Sequence, residues 1–353
     1  MNKLHCQVIL ESNAEHCHQI YTGLADLAYD GFLELDVKVS EKFTSNNFGK
    51  PIVFCTLNRS QNIVFDLSDS RKLIDEEALK AVDFYFKRSY DEDYTDRMKN
   101  GQKIRALGLN YLAYSKHGFW KERISASKNI KEKLKTFLRY NKFFSKRFNI
   151  QDSLYACETS NFESYPKVSD SPKVLFLVRA WKPENVSTEE KKLERYRMND
   201  QRANIIRTLK KELGNKFVGG FLKEPYAETM YPDCVVSKNM TSKKNYLELM
   251  KDSDICIATT GLEESIGWKF AEYVAASNAI VSEKLMFTLP GDFKEGQNYL
   301  CFSSSEECVA QVNKLIEDKA MRLEMMHNNY KYYCSNVEPK KLVLNALLST
   351  LKN

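Results

Sequence analysis

Glu264-Ser265-Ile266-Gly267-Trp268-Lys269-Phe270-Ala271-Glu272 sits between two short apolar runs, DICIATT at 254–260 and AIVSE at 279–283. Both runs have the length and composition of buried strands. The stretch between them predicts a helix that starts near Gly267. A helix beginning just after a parallel strand offers unpaired backbone N–H groups and the positive end of its dipole, which suits a phosphate. A glycine at that start lets a ligand come close to the backbone. Glu272 follows Glu264 by eight residues, a little over two turns at about 3.6 residues per turn. One element can therefore hold a diphosphate at its tip and a hydroxyl-rich sugar alongside.

The alternation of strand and helix extends outward on both sides. Upstream, VLFLV at 174–178 reads as a strand that ends on Arg179, and a long charged helix follows over about 188–213. Strands are also read at 217–221 and 299–303, and helices at 243–250, 305–317, 319–334 and 339–351. The first half reads as strands at 4–10, 32–39, 51–57, 62–67 and 82–86, helices at 14–29 and 71–79, and one long basic helix over 121–148. The polar segment 158–172, with two prolines and four serines, reads as a linker. The expected organisation is α/β, with domains at 1–165 and 166–335 and a last helix, 336–353, that crosses back to the first. Parallel sheets covered on both faces place ligands at the carboxyl ends of their strands. Arg179 and the 259–267 segment both fall at such ends.

The E-x7-E spacing with its glycine, the small residues of YVAASNAIVS at 273–282, and the strand ending on Arg179 together resemble the donor domain of GT-B glycosyltransferases. The likeness is to the retaining E-x7-E group (glycosyl transferases group 1) and covers about 173–334. It implies a GT-B fold, two Rossmann-like doubly wound parallel-sheet domains facing a central cleft. It implies transfer of a sugar from a nucleotide-diphosphate donor to a glycan or lipid-linked acceptor, in bacterial surface polysaccharide or glycoconjugate synthesis. No prosthetic group and no metal are expected. Glu272 matches the glutamate that accepts hydrogen bonds from the ribose, and Glu264 the catalytic one beside the donor sugar. Arg179 faces the diphosphate, with Lys182 and Arg202 as further cations. Gly261, Ser265, Ile266, Gly267 and Trp268 form the donor turn, and Lys269 adds charge in the first turn. Trp268 and Lys269 stand where the family usually has apolar residues, and Pro183 breaks the usual spacing at Lys182. The alternatives are a nucleotide-sugar epimerase on the same fold and a non-catalytic nucleotide- or glycan-binding scaffold.

The chain has 353 residues, 43% hydrophobic and 28% charged, which is ordinary for a globular protein of two domains. No apolar run approaches the length of a membrane span, and the first ten residues lack the pattern of a secretory signal. Nine cysteines, an odd count without C-x-x-C spacing, argue against both a disulfide framework and a zinc site. A reduced cytoplasmic setting is expected, with the inner face of the plasma membrane as its variant. The net charge of +6 is concentrated: 121–150 holds ten basic and two acidic residues, a net of +8. Ile124, Ile130, Leu134, Phe137, Leu138, Phe144 and Phe148 recur there at helical spacing, so peripheral membrane contact is expected through 121–148. No nucleic-acid motif accompanies the charge.

Other candidates are weaker. His117, before Gly118 in a loop, has the chemistry for proton transfer near neutral pH and is a catalytic candidate. The segment 86–90 (FKRSY) follows a strand and is a candidate to face the cleft. His16-Cys17-His18 lacks further ligands at metal spacing. Asp91-Glu92-Asp93 and Asp252-Ser253-Asp254 fit D-x-D but read more simply as a helix start and a helix end.

Overall fold

The computed structural model describes residues 3–43, 49–127, 129–147 and 154–351. The chain divides into two compact units, one of 1–161, 286–291 and 334–353, the other of 162–285 and 292–333. The first carries β1 (Leu4–Leu10), α1 (His18–Tyr29), β2 (Leu33–Val39), β3 (Ile52–Leu57), β4 (Gln61–Asp66), α2 (Glu76–Ala81), β5 (Phe84–Lys87), α3 (Glu92–Thr95), β6 (Ile104–Ala106), α4 (Trp120–Ser125), α5 (Ile130–Tyr140) and α6 (Lys142–Arg147). The second carries β7 (Val174–Val178), α7 (Glu189–Leu213), β8 (Phe217–Phe221), α8 (Pro225–Met230), α9 (Lys243–Asp252), β9 (Ile255–Ala258), α10 (Trp268–Ala275), β10 (Ala279–Glu283), β11 (Leu300–Phe302), α11 (Ser305–Glu317) and α12 (Lys319–Tyr332). The last helix, α13 (Pro339–Thr350), belongs to the first unit and packs on α1. At Gly23 of α1 an added Cβ would lie 2.2 Å from the Pro339 carbonyl oxygen, so the two helices touch where only glycine fits.

The α/β class holds in both units. The first sheet runs β2-β1-β3-β4-β5-β6, parallel except for β3. That antiparallel strand has a local cause. Only Asn58, Arg59 and Ser60 separate β3 from β4, and Asn58 and Arg59 take φ of 50° and 63°. Three residues make a hairpin, whereas a parallel crossover needs a dozen or more. Alternate residues supply two cores. Val53, Cys55, Ile63 and Phe65 join α1 and α13 in one, and Ile52, Val64 and Tyr85 join α2 in the other.

The second sheet, β11-β10-β9-β7-β8, is wholly parallel. All five residues of β7 and all four of β9 are buried, as expected of strands covered on both faces. Val174, Phe176, Ile255, Ile257 and Val281 pack with Ala203, Ile206 and Leu209 of α7.

The single basic helix expected over 121–148 is instead three helices, α4, α5 and α6. Asn129 is extended, and its side chain accepts from the Glu132 N–H, so it caps a new helix rather than continuing the old one. Asn141 is extended after α5 and ends it. Phe148 lies outside the described residues. The helix expected at 71–79 starts later, at Glu76, because Asp75 caps it through the Ala78 N–H.

Candidate functional site

In the second sheet the chain passes from β7 to β8 on one side, then returns to β9 on the other. The strand order therefore reverses between β7 and β9. Such a switch point leaves a crevice at the carboxyl ends of the two strands, because the helices that follow them lie on opposite faces. Arg179 follows β7, and the loop 259–267 follows β9.

Arg202 of α7 ties these two ends together. Its Nε donates to Thr259 Oγ1 (3.0 Å), Nη1 to the Arg179 carbonyl (2.9 Å) and Nη2 to the Thr260 carbonyl (2.9 Å). The side chain is 4% exposed, and burial lowers its pKa, with Glu283 opposing. A buried guanidinium with three fixed acceptors is a clamp. As a diphosphate contact, the role expected of it, it would have to give up those bonds. Glu283 at the end of β10 completes the brace by accepting from the Thr260 N–H (2.6 Å) and hydroxyl (2.9 Å).

The turn into α10 is strained and open. Glu263 and Glu264 take φ of 55° and 60°, a conformation that costs a non-glycine residue about 1–2 kcal/mol. The surroundings hold it: the Glu263 N–H donates to Glu194 Oε1 (2.8 Å), Lys191 Nζ lies 3.6 Å from Glu263 Oε1, and the Gly261 N–H donates to the Ser265 carbonyl (2.7 Å). A Cβ on Gly261 would meet Ser265 Oγ at 2.5 Å, so a side chain there would force the Ser265 hydroxyl to move. Gly267 differs. A Cβ there meets no described atom within 4 Å, and its φ of −66° suits any residue. Gly267 is the N-cap of α10 and supplies no side-chain cap, and the first turn holds no carboxylate. By contrast α7, α9, α11 and α12 are capped by Thr188, Ser242, Ser304 and Asp318. No side chain therefore caps the start of α10, and the glycine there leaves room beside it. Ser265 and Ile266 are buried beneath the turn, while Trp268 is half-buried.

Glu272 lies inward of this turn and is 4% exposed. Lys243 Nζ donates to its Oε1 (2.8 Å) and the Tyr246 hydroxyl to its Oε2 (2.6 Å). Burial alone would raise its pKa; the charges of Lys243 and Lys269 and the two hydrogen bonds reverse that and hold it below the usual carboxylate range. Lys269 lies over the Tyr246 ring, 4.0 Å from its centroid. Burial lowers its pKa to about 8, with Lys243 and Arg179 adding to the shift and Glu272 opposing it. Lys243 and Tyr246 are absent from the sequence-derived set. They come from α9, twenty-six and more residues before Glu272, and no local pattern points to them.

Arg179 is half-exposed at the crevice, with its Nε 3.2 Å from Glu224 Oε1 and its guanidinium 5.7 Å from the Trp181 ring. Lys182 is exposed, and its carbonyl accepts from Arg195. Arg179, Arg202, Lys269 and the 261–267 turn are thus gathered at one edge. His117 is not at a strand carboxyl end. Its Nδ1 lies 3.0 Å from Asp26 Oδ1 and its ring stacks on Tyr29, centroids 3.6 Å apart. Both partners are in the last turn of α1, the end remote from the carboxyl end of β1.

Residues 191–337 match a family model described as Glycosyl transferase-like, somewhat under half of the chain. No curated protein matches the sequence. Among solved structures, the C-terminal domain of the glycosyl transferase group 1 family protein LpcC from Francisella tularensis is 14% identical, covering 50% of this chain and 96% of that one, with a TM-score of 0.34. The UDP-GlcNAc 2-epimerase from Neisseria meningitidis bound to UDP-GlcNAc is 14% identical over 79% of this chain and 64% of its own, TM-score 0.37. WaaG, a glycosyltransferase involved in lipopolysaccharide biosynthesis, is 12% identical over 51% and 48%, TM-score 0.33.

Proposed function

We propose that the second unit binds a nucleotide-diphosphate sugar and that the protein transfers the sugar to a glycan or lipid-linked acceptor taken by the first unit. Gly267 carries the reading. At the switch point between β7 and β9, an uncapped helix start meets empty space, with Arg179 and Lys269 beside it. A diphosphate leaving group needs preorganised donors and positive charge where its own charge develops. The match of 191–337 to a Glycosyl transferase-like family supports the same assignment, and the E-x7-E spacing of Glu264 and Glu272 supports transfer with retention of configuration. In this reading the α10 N–H groups, Arg179 and Lys269 hold the diphosphate, and Glu272 with Lys243 lies inward of it. Lys182 is an outer cation, and Arg202 keeps the two strand ends in register.

Binding of UDP-, GDP-, ADP-, CMP- and dTDP-sugars, followed by thermal shift, tests the donor site. A ligand that binds the native state raises the melting temperature by mass action. At least one donor should do so, and a panel without a hit ends the proposal. Release of free nucleotide that depends on an added acceptor identifies transfer; an acceptor-independent change at the sugar identifies an epimerase. Proton NMR of the product's anomeric coupling tests retention.

The helices α5 and α6 favour a lipid-side role for the first unit. Ile130 and Phe143 are 84% and 70% exposed, and Leu134 is also exposed, among exposed Lys131, Lys133, Lys135 and Arg147. Exposed apolar side chains among cations suit an anionic lipid surface. The protein should sediment with anionic vesicles and not with zwitterionic ones. Ile130→Asp with Leu134→Asp should leave it in the supernatant; unchanged sedimentation would refute the contact.

A further inference from the structure

Arg123 of α4 is 3% exposed, a charged side chain taken almost wholly out of water. A buried guanidinium is tolerated when a carboxylate or several fixed acceptors answer it. Arg322 shows that solution in this chain: Asp254 lies 3.7 Å from its Nε, and the carbonyls of Leu315, Ile316 and Ser169 accept from its Nη atoms. Arg123 has neither. Among the described residues it makes no ion pair, and its one hydrogen bond runs from Nη1 to the Asn13 amide oxygen, in the loop after β1. Its guanidinium lies over the rings of Tyr21 and Tyr140, 5.3 and 5.8 Å from their centroids. Rings attract the cation, but its in-plane N–H donors need oxygen acceptors.

The surroundings supply no counter-charge. The Arg123 charge acts on Cys17, His18, Tyr21 and Tyr114. Burial pushes the Cys17 thiol up to about 12, raises the Tyr21 and Tyr114 phenols, and holds the His18 imidazole well below its ordinary value, so all four are neutral near pH 7. Asp66 acts on Cys17 but is matched by Lys87, Glu15 pairs with Arg139, and Glu158 acts on Tyr114; none of them pairs with Arg123. His18, the first residue of α1 and 3% exposed, buries an Nε2 that has no hydrogen-bond partner. The Tyr140 hydroxyl is a second buried group without one. No side chain caps α1 and no acid stands in its first turn, so nothing there offsets the positive end of its dipole. Folded interiors ordinarily satisfy such groups, and here two are left open around one unmatched cation. A guanidinium meets a carboxylate or a phosphate with two parallel N–H···O bonds. A neutral imidazole with its proton on Nε2, and a phenol, each add a donor.

We propose that Arg123, His18 and Tyr140 form a subsite for an oxyanion of the acceptor, a phosphate ester or a carboxylate, which supplies the counter-charge that Arg123 lacks. This rests on the reading that the first unit takes the acceptor. The probes are inorganic phosphate, glucose 1-phosphate and glucuronate, with methyl glucoside as the uncharged control, added to the full chain isotope-labelled at its five histidines. Glucose 1-phosphate and glucuronate distinguish a phosphate ester from a uronic acid. At least one anion should bind and move the His18 ring resonances, which are identified by their loss in His18→Gln; methyl glucoside should not. Arg123→Met should weaken that anion about a hundredfold, the share of two hydrogen bonds between charged groups, and should keep the thermal shift given by UDP. Without ligand it should melt no lower than the native protein, because it removes a buried charge that nothing pairs; a purely structural arginine would lower the melting temperature when removed. Arg123→Lys keeps the charge but not the planar fork, so its affinity should fall between the two, and it serves where Arg123→Met does not fold. Anions that leave the His18 ring unmoved, or that bind Arg123→Met as tightly as the native protein, would overturn the subsite. UDP that moves the His18 ring and loses its thermal shift in Arg123→Met would give the site to the donor and overturn the acceptor assignment. Oxyanion binding at His18 without any nucleotide-sugar binding would sink the donor reading and leave this one standing.

Discussion

The two sheets end on charged residues in different ways. At the first sheet's carboxyl edge the cations have been answered from within: Lys87 by Asp66, Arg88 by Asp69, Arg71 by Asp91. At the second, the α10 start has no capping side chain and no first-turn carboxylate, and Lys269 lies on an aromatic ring rather than against an acid within hydrogen-bond range. An edge with a helix start that no side chain caps and a nearby lysine suits an anion. The local charge balance at strand ends is thus what differs between two sheets of the same general build.

The largest break in this comparison should come from Arg202→Met. The methionine fills similar volume but leaves the Thr260 and Arg179 carbonyls and the Thr259 hydroxyl without their donor. Loss of three bonds to a buried cation should cost about 3 kcal/mol and remove nucleotide-sugar binding, because β7 and β9 no longer hold the turn and Arg179 in register. Thermal unfolding and the nucleotide thermal shift read both effects. If Arg202→Met keeps binding, the clamp is not what shapes the second edge.

Gly267→Val separates space from stability. Its Cβ enters open volume at an ordinary φ, so only the poorer fit of valine to an N-cap counts, and the melting temperature should fall by no more than about 1 kcal/mol implies. Nucleotide affinity should fall about a hundredfold, since the side chain occupies the position from which the α10 N–H groups reach a phosphate. Calorimetric titration with UDP checks it. Native-like affinity would mean that the open space is not the ligand's.

Lys243→Met tests how far the second edge depends on its inner ion pair. Glu272 is buried, and Lys243 supplies its charged partner. Removing one partner of such a pair costs a few kcal/mol when both are buried. Lys243 is 31% exposed, so water screens part of the loss and about 2 kcal/mol is expected. The melting temperature should drop accordingly, and Lys243→Met with Glu272→Gln should recover most of it.

Much of the second unit was legible because its signals are local. Strands buried on both faces read as continuous apolar runs, and helix starts carry Thr188, Ser242 or Ser304. Arg179 and Gly267 were readable for the same reason, since a strand end and a helix start are sequence features. What escaped depends on tertiary contact. Lys243 reaches Glu272 from another helix, and Arg202 turns to backbone carbonyls rather than to the crevice. In the first unit, a basic run with apolar residues at helical spacing looked continuous, yet Asn129 and Asn141 divide it, because an asparagine side chain bonds its own backbone as readily as it joins a helix. His18 and Arg123 lie on α1 and α4, and only the fold brings them together.

The smallest effect is a pH dependence with opposite signs for stability and binding. Burial lowers the Lys269 pKa to about 8, whereas an unfolded lysine titrates near 10.4. Between those values the folded protein binds fewer protons at this site than the unfolded chain. The fold therefore bears the full cost of the buried charge below about pH 8 and sheds it as pH rises toward the unfolded value. The ligand-free melting temperature should gain from this group over that window. Nucleotide binding should move the other way, because a diphosphate is attracted only to the charged ammonium. Affinity for UDP should fall by up to about tenfold per pH unit above about pH 8. Lys269→Met should flatten both trends and bind UDP weakly throughout. Should the native protein and Lys269→Met show the same UDP affinity from about pH 7 to about pH 9.5, this lysine takes no part in holding the phosphate. The positive character of the second edge would then rest on Arg179 and the α10 backbone alone.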